Sequence, residues 1–131
     1  MLIEAQKQKT KKIILVAEDD SILRPLLVEL LDEMQFEVIA AEDGTKAMAL
    51  LQDLDCNHMH VDLLLTDIGL PGVNGNTLAE FARKIWPNLS ILFITGYAHG
   101  INTMTFDNKI QLLTKPFSLG VLTKRIEELI S

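Results

Sequence analysis

Residues 61–75 read VDLLLTDIGLPGVNG, and the chain's architecture follows from how this stretch is put together. Val61 to Thr66 is a nearly unbroken apolar run, the pattern of a strand buried on both faces of a parallel sheet. It stops at Asp67. A turn rich in proline and glycine follows, and then Leu78, Phe81, Ala82 and Ile85 recur at helical spacing until Pro87 ends the pattern. Strand, acid, turn and helix thus follow one another in about twenty-five residues, the size of half a βαβ unit.

The same unit recurs in both directions along the chain. Apolar runs at Ile13–Ala17, Glu37–Ala40, Ile91–Ile94 and Ile110–Leu113 are four more expected strands, all but Glu37–Ala40 continuous. After the first, Ile22, Leu23, Leu26, Leu27, Leu30, Leu31 and Met34 form one helical stripe. Asp20 or Ser21 is its expected N-cap, and Pro25 is early enough to be tolerated. A second helix should start near Gly44 and turn Ala47, Leu50, Leu51 and Leu54 inward. A fourth, around His99 to Phe106, has the faintest pattern because Gly96, Gly100 and Asn102 interrupt it. The last should run from an N-cap at Ser118 through Leu122, Ile126, Leu129 and Ile130. Strict alternation of strand and helix predicts right-handed crossovers. The expected fold is α/β, a flavodoxin-like doubly wound sheet of five parallel strands in the order 2-1-3-4-5 with helices on both faces. Ligands bind such sheets beyond the carboxyl ends of the strands.

With 131 residues, 48% of them hydrophobic, the chain fits one domain over 12–131, preceded by a polar tail over 1–11. No apolar run approaches the roughly 18 residues of a membrane span, so no membrane insertion is expected. The N-terminus does not read as a secretory signal, and the lone Cys56 cannot form an internal disulfide, so a cytoplasmic protein is expected. A net charge of −6 disfavours nucleic acid as a partner. The lysines at 7, 9, 11 and 12 belong to the solvated tail.

Chemistry gathers where the apolar runs end. The first run ends in Glu18-Asp19-Asp20, the third in Asp67, the fourth in Thr95 and the fifth in Lys115-Pro116. Any one of these is commonplace, since an acid after a strand is usually a helix cap or a solvated loop residue. Four at one sheet edge make a site. Converging carboxylates repel unless a cation neutralises them, and a few hard oxygen ligands suit Mg²⁺. A lysine and a threonine hydroxyl beside a metal-bound carboxylate make a cradle for a phosphoryl group, and a carboxylate can itself be the nucleophile.

The stretches ILVAEDD, LLLTDIGLPGVNG, FITGYA and LLTKPF together resemble the four signatures of the response-regulator receiver domain of two-component signalling. The resemblance covers nearly everything from Lys12 to Ile130. It implies that Asp67 is the phosphoacceptor, taking its phosphoryl group from a histidine kinase or histidine phosphotransfer protein. It further implies that Asp19 and Asp67 bind Mg²⁺, with Glu18 helping directly or through a metal-bound water, and that the backbone carbonyl of Gly69 completes the protein ligands. Thr95 and Lys115 would hold the phosphoryl oxygens, and the Lys115–Pro116 peptide would be cis. Pro71 and Gly75 would shape the loop. The outcome would be a switch in protein–protein contacts with a downstream protein, with no multiple-turnover catalysis of its own.

Three features depart from the family's usual pattern. Leu112 stands three residues before Lys115, where an aromatic switch residue is usual. Tyr97, in FITGYA, either gates the pocket or is an exposed loop residue; that stretch resembles receivers found alone or at the end of hybrid kinases. The segment Asp53–His60 lengthens the connection into the third strand, and Cys56, His58 and His60 within it match no zinc spacing. Little sequence follows the last stripe, so no output domain is expected within this chain. Two other readings share the fold or the chemistry. A phosphatase of haloacid-dehalogenase type would also use Asp67 and Mg²⁺, but it wants a second acid two residues on, where Gly69 stands. A flavodoxin-like flavin binder wants a hydroxyl- and glycine-rich phosphate loop after the first strand, where this chain has three acids.

Overall fold

A computed structural model describes residues 11–96 and 107–130. Five strands form one parallel sheet: β1 (Ile13–Ala17), β2 (Glu37–Ala41), β3 (Leu63–Asp67), β4 (Ser90–Thr95) and β5 (Ile110–Thr114). Their order is β2-β1-β3-β4-β5, as the alternation predicts. The described helices are α1 (Leu23–Glu33), α2 (Gly44–Cys56), α3 (Gly75–Ile85) and α4 (Leu119–Ile130). The helix expected around His99–Phe106, and Tyr97 before it, lie outside the described residues.

Side chains alternate across the strands and divide the core in two. Leu15, Leu64, Ile91 and Phe93 pack beneath Ala47 and Leu51 of α2 and Leu78 and Ala82 of α3. Ile14, Val16, Leu63, Leu65 and Leu92 face Leu27 and Leu31 of α1 and Leu122 and Ile126 of α4. Each such fully buried leucine, isoleucine, valine or phenylalanine stabilises the fold by about 1.5–3 kcal/mol relative to exposure. β2 breaks the continuous pattern for a physical reason. It is one of the two edge strands, and Glu37 and Ala40 are exposed.

Helix starts are fixed by side chains. Ile22 occupies the N-cap position of α1, neither Asp20 nor Ser21; of those two it is Asp20 whose Oδ1 accepts from the leading amides, those of Ile22 (2.8 Å) and Leu23 (3.0 Å). Asp43 caps α2 by accepting from Lys46 N (2.7 Å), Asn74 caps α3 through Thr77 N (2.9 Å), and Ser118 Oγ accepts from Val121 N (3.1 Å). Pro87 follows the end of α3 as expected.

Strand bounds shift by a residue or two from the apolar runs. β3 starts at Leu63 because Asp62 is engaged with Ile13: its amide donates to the Ile13 carbonyl and its Oδ2 accepts from Ile13 N, both at 2.9 Å. At the other end the ladder runs further than hydrophobicity shows. Asp67 pairs with Ile94, and Thr95 pairs with Thr114, so both polar residues are the last members of their strands.

Candidate metal centre at the carboxyl edge of the sheet

Because β1 and β3 are neighbours with Ala17 opposite Thr66, the residues that follow these two arrive side by side. Glu18, Asp19 and Asp67 each offer a carboxylate oxygen, and these oxygens lie within 4.8 Å of one another. Glu18 is 1% exposed and Asp67 8%, whereas Asp19 faces solvent. Burying two carboxylates so close together needs opposite charge. Lys115 supplies it. Its Nζ donates to Asp67 Oδ2 at 2.7 Å and stands 3.3 Å from Glu18 Oε1.

The backbone fixes these groups. Asp67 Oδ1 accepts from Gly69 N (3.0 Å), and Glu18 Oε2 from Asp20 N (3.0 Å). Lys115 is held by its own amide, which donates to the Thr95 carbonyl (2.7 Å), and is followed by a cis peptide to Pro116. Gly75 lets the start of α3 close on the strand: its amide donates to the Ile68 carbonyl (2.8 Å), and an added Cβ would lie 2.3 Å from the Asp67 carbonyl oxygen. Thr95 is buried at the end of β4, next to the strand that carries Asp67.

Burial pushes the Glu18 carboxyl above the ordinary range, and the charge of Asp67 adds to this; the Asp20 amide and Lys115 only partly oppose it. Burial would pull Lys115 down, but the hydrogen bond to Asp67 and the charges of Glu18 and Asp67 outweigh it and leave the ammonium raised. Glu18 Oε1 accepts no hydrogen bond although it is buried. A buried carboxylate oxygen with spare lone pairs, beside two further carboxylates, is a donor set for a hard divalent cation.

The structure thus brings together Glu18, Asp19, Asp67 and Lys115, and places Gly69 and Thr95 at the same edge. One contact escaped the sequence reading: Arg24 Nη1 donates to the Glu18 carbonyl at 3.0 Å, reaching back from the first turn of α1. No periodicity connects residues six apart across a strand–helix turn. Among the described residues, Cys56, His58 and His60 form no metal-holding group; all three are exposed, and His60 Nε2 is 3.7 Å from Asp62 Oδ1. Leu112 is half-buried and packs against the α2 and α3 side of the core.

The family model for the response regulator receiver domain matches residues 14–127. This chain belongs to the response regulator receiver family. It is a receiver domain of two-component systems. The response regulator receiver protein CpdR of Brucella abortus is 37% identical over 121 residues, covering 91% of this chain and 97% of CpdR. A receiver protein from Sinorhizobium medicae superposes with a TM-score of 0.80 at 29% identity, covering 92% of this chain and 94% of that one. The response regulator TrrA of Thermotoga maritima, crystallised with Mg²⁺ and BeF, gives a TM-score of 0.70 at 27% identity, covering 90% and 98% of the two chains. Other relatives are longer: this receiver spans 12% of the Brucella abortus sensor kinase CckA and about half of several transcriptional regulators. These matches give no support to a haloacid-dehalogenase phosphatase. No helix among the described residues is long and apolar enough to cross a membrane.

Proposed function

We propose that this receiver accepts a phosphoryl group on Asp67 from a histidine-phosphorylated protein, with Mg²⁺ held by Glu18, Asp19, Asp67 and the Gly69 carbonyl. The observation that carries the reading is Lys115 Nζ, 2.7 Å from Asp67 and 3.3 Å from Glu18, on a cluster of three carboxylates. A lone lysine leaves that cluster net negative, so a divalent cation completes the charge balance. The crystallised relative TrrA carries Mg²⁺ with BeF, in keeping with this assignment.

In the transfer, an Asp67 carboxylate oxygen bonds to phosphorus as the phosphorus–nitrogen bond of the phosphohistidine breaks, and the electron pair leaves with the imidazole, which takes up a proton. Bound Mg²⁺ supplies charge neutralisation for the phosphoryl oxygens. Lys115 exchanges its contact with Asp67 for one to a phosphoryl oxygen, and the Thr95 hydroxyl donates to another. Gly69 stands where a phosphatase would need a second acid, so no multiple-turnover chemistry is expected; the acyl phosphate changes contacts with a downstream protein, and the same pocket assists its eventual hydrolysis.

The partner is a histidine kinase or a histidine phosphotransfer protein, and it meets a surface made for protein. Among the described residues, four of the five exposed large hydrophobics are Ile22, Leu26, Leu119 and Val121. They lie at the beginnings of α1 and α4, on the edge of the sheet that carries Asp67 and Lys115. The charge of −6 turns nucleic acid away, and the cytoplasm is the expected setting.

Incubation with Mg²⁺ and acetyl phosphate, read by intact mass, tests the reading. The expected result is a base-labile gain of one phosphoryl group that Asp67→Asn abolishes. Continuous release of phosphate over many turnovers, or labelling that survives Asp67→Asn, would overturn it.

A further inference from the structure

The loop from Ile68 to Asn74 carries Gly69, whose amide donates to Asp67 Oδ1 at 3.0 Å, and it buries the side chains of Ile68 and Leu70 in the core. At its base, Leu70 N and Gly75 N both donate to the Ile68 carbonyl, at 3.0 and 2.8 Å. Its outer arc rests on a different element. Gly44, the first residue of α2, donates its amide to the Pro71 carbonyl at 3.0 Å. A Cβ built on Gly44 would lie 1.6 Å from the Val73 carbonyl oxygen, 2.5 Å from its carbon and 2.9 Å from its Cα. Helix and loop therefore meet backbone to backbone, with no room for a side chain.

We propose that Gly44 is a positioning residue, and that the first turn of α2 is the seat which holds the loop, and with it the Gly69 carbonyl, in register with Asp67. The inference rests on the metal-assisted chemistry proposed above. α2 is a stiff support. Asp43 caps it, and Ala47 and Leu51 are buried in the core. Gly69 lies between the Ile68 carbonyl and the Pro71 carbonyl that the Gly44 amide holds; its own amide is tied to Asp67, so the Gly44 contact fixes the far side of the loop. A helix none of whose side chains enters the carboxylate cluster thereby sets the geometry of one of the cluster's ligands. A cation that demands near-ideal octahedral geometry is sensitive to a ligand shifted by a fraction of an ångström. Any methyl at 44 must displace the Val73 carbonyl by well over that, because backbone cannot rotate out of the way as a side chain can.

Mg²⁺ titration calorimetry on the whole chain, paired with thermal melts, tests the seat. Gly44→Ala should weaken Mg²⁺ binding at least tenfold while the folded circular-dichroism spectrum persists. Should that variant fail to fold, a second pair decides. Gly72 has φ +78°, and a Cβ there would lie 2.3 Å from Thr45 Oγ1 on the same helix turn. Gly72→Ala should also weaken Mg²⁺, and adding Thr45→Ala should recover part of the loss by clearing the collision. Lower melting temperatures with wild-type Mg²⁺ affinity, or no recovery from Thr45→Ala, would overturn the seat alone. A wild type that binds no Mg²⁺ would overturn the metal-assisted chemistry and the seat together.

Discussion

Replacing Lys115 by methionine removes one cation and keeps most of the apolar stem. In the metal-free protein this strands two buried carboxylates, since Nζ reaches Asp67 Oδ2 at 2.7 Å and Glu18 Oε1 at 3.3 Å. A hydrogen bond to a charged group contributes about 1.5–3 kcal/mol, and losing one partner of a buried pair costs about 3–5 kcal/mol. The Lys115 side chain is 28% exposed, so solvent screens part of this, and about 2–3 kcal/mol is the expected loss at neutral pH. With a urea slope of about 2 kcal/mol per molar, the unfolding midpoint falls by about 1–1.5 M. Mg²⁺ then reverses the order of events. The variant's pocket is more negative, so it binds the cation more tightly and gains more from it than wild type does. Saturation at about 100 times Kd adds about 2.7 kcal/mol to any binder, and the tighter binder gains more at equal concentration. The gap in urea midpoint should therefore shrink by at least half in saturating Mg²⁺. An identical gap with and without Mg²⁺ would show that Lys115 stabilises by packing, and the charge-balance account of the pocket would fail.

The Arg83–Asp107 pair, with nitrogens at 3.0 and 3.3 Å, links α3 to the start of β5. Its hydrogen bond to Arg83, with help from the Lys109 amide, holds the Asp107 carboxyl below its ordinary range. A depressed carboxylate contributes stability above its unfolded pKa near 3.8 and loses it as pH falls through the lower folded value. Asp107→Asn should thus cost less than about 1 kcal/mol at pH 7, and urea midpoints of the two proteins should converge as pH falls below the ordinary 3.8 and through the lower folded value. A gap that does not narrow at all as pH falls below 3.8 would assign the effect to something other than ionisation. At the apolar rim, Ile22→Asp combined with Leu119→Asp should slow phosphotransfer from the cognate kinase by about tenfold or more while acetyl phosphate still labels Asp67 at the wild-type rate. Equal slowing with both donors would place the damage in the pocket instead.

Most of the architecture was legible because burial on both faces writes itself as continuous hydrophobicity in Ile13–Ala17 and Leu63–Thr66. It was least legible in β2, where an edge position leaves Glu37 and Ala40 to solvent. The strand ends were misjudged by a residue, since Asp67 and Thr95 join the ladder by backbone pairing that side-chain polarity does not reveal. Of the pocket, residue types and strand order announced the meeting of Glu18, Asp19, Asp67 and Lys115. Contacts to backbone atoms left no trace in sequence: the Arg24 guanidinium bond to the Glu18 carbonyl and the seating of Val73 on Gly44 depend on three-dimensional closure.

The strand order has one more consequence. β1 and β3, which deliver Glu18, Asp19 and Asp67, are each paired on both sides, whereas β2 and β5 are paired on one side only. Amide protons of Val16, Leu64 and Leu65 should exchange with solvent through whole-molecule opening, and those of the outer strands through smaller excursions. The carboxylates therefore belong to the slowest-exchanging part of the molecule. The periphery can open without carrying away the two inner strands that deliver the acids, so the part of the pocket that such an excursion displaces is Lys115, which follows the outer strand β5.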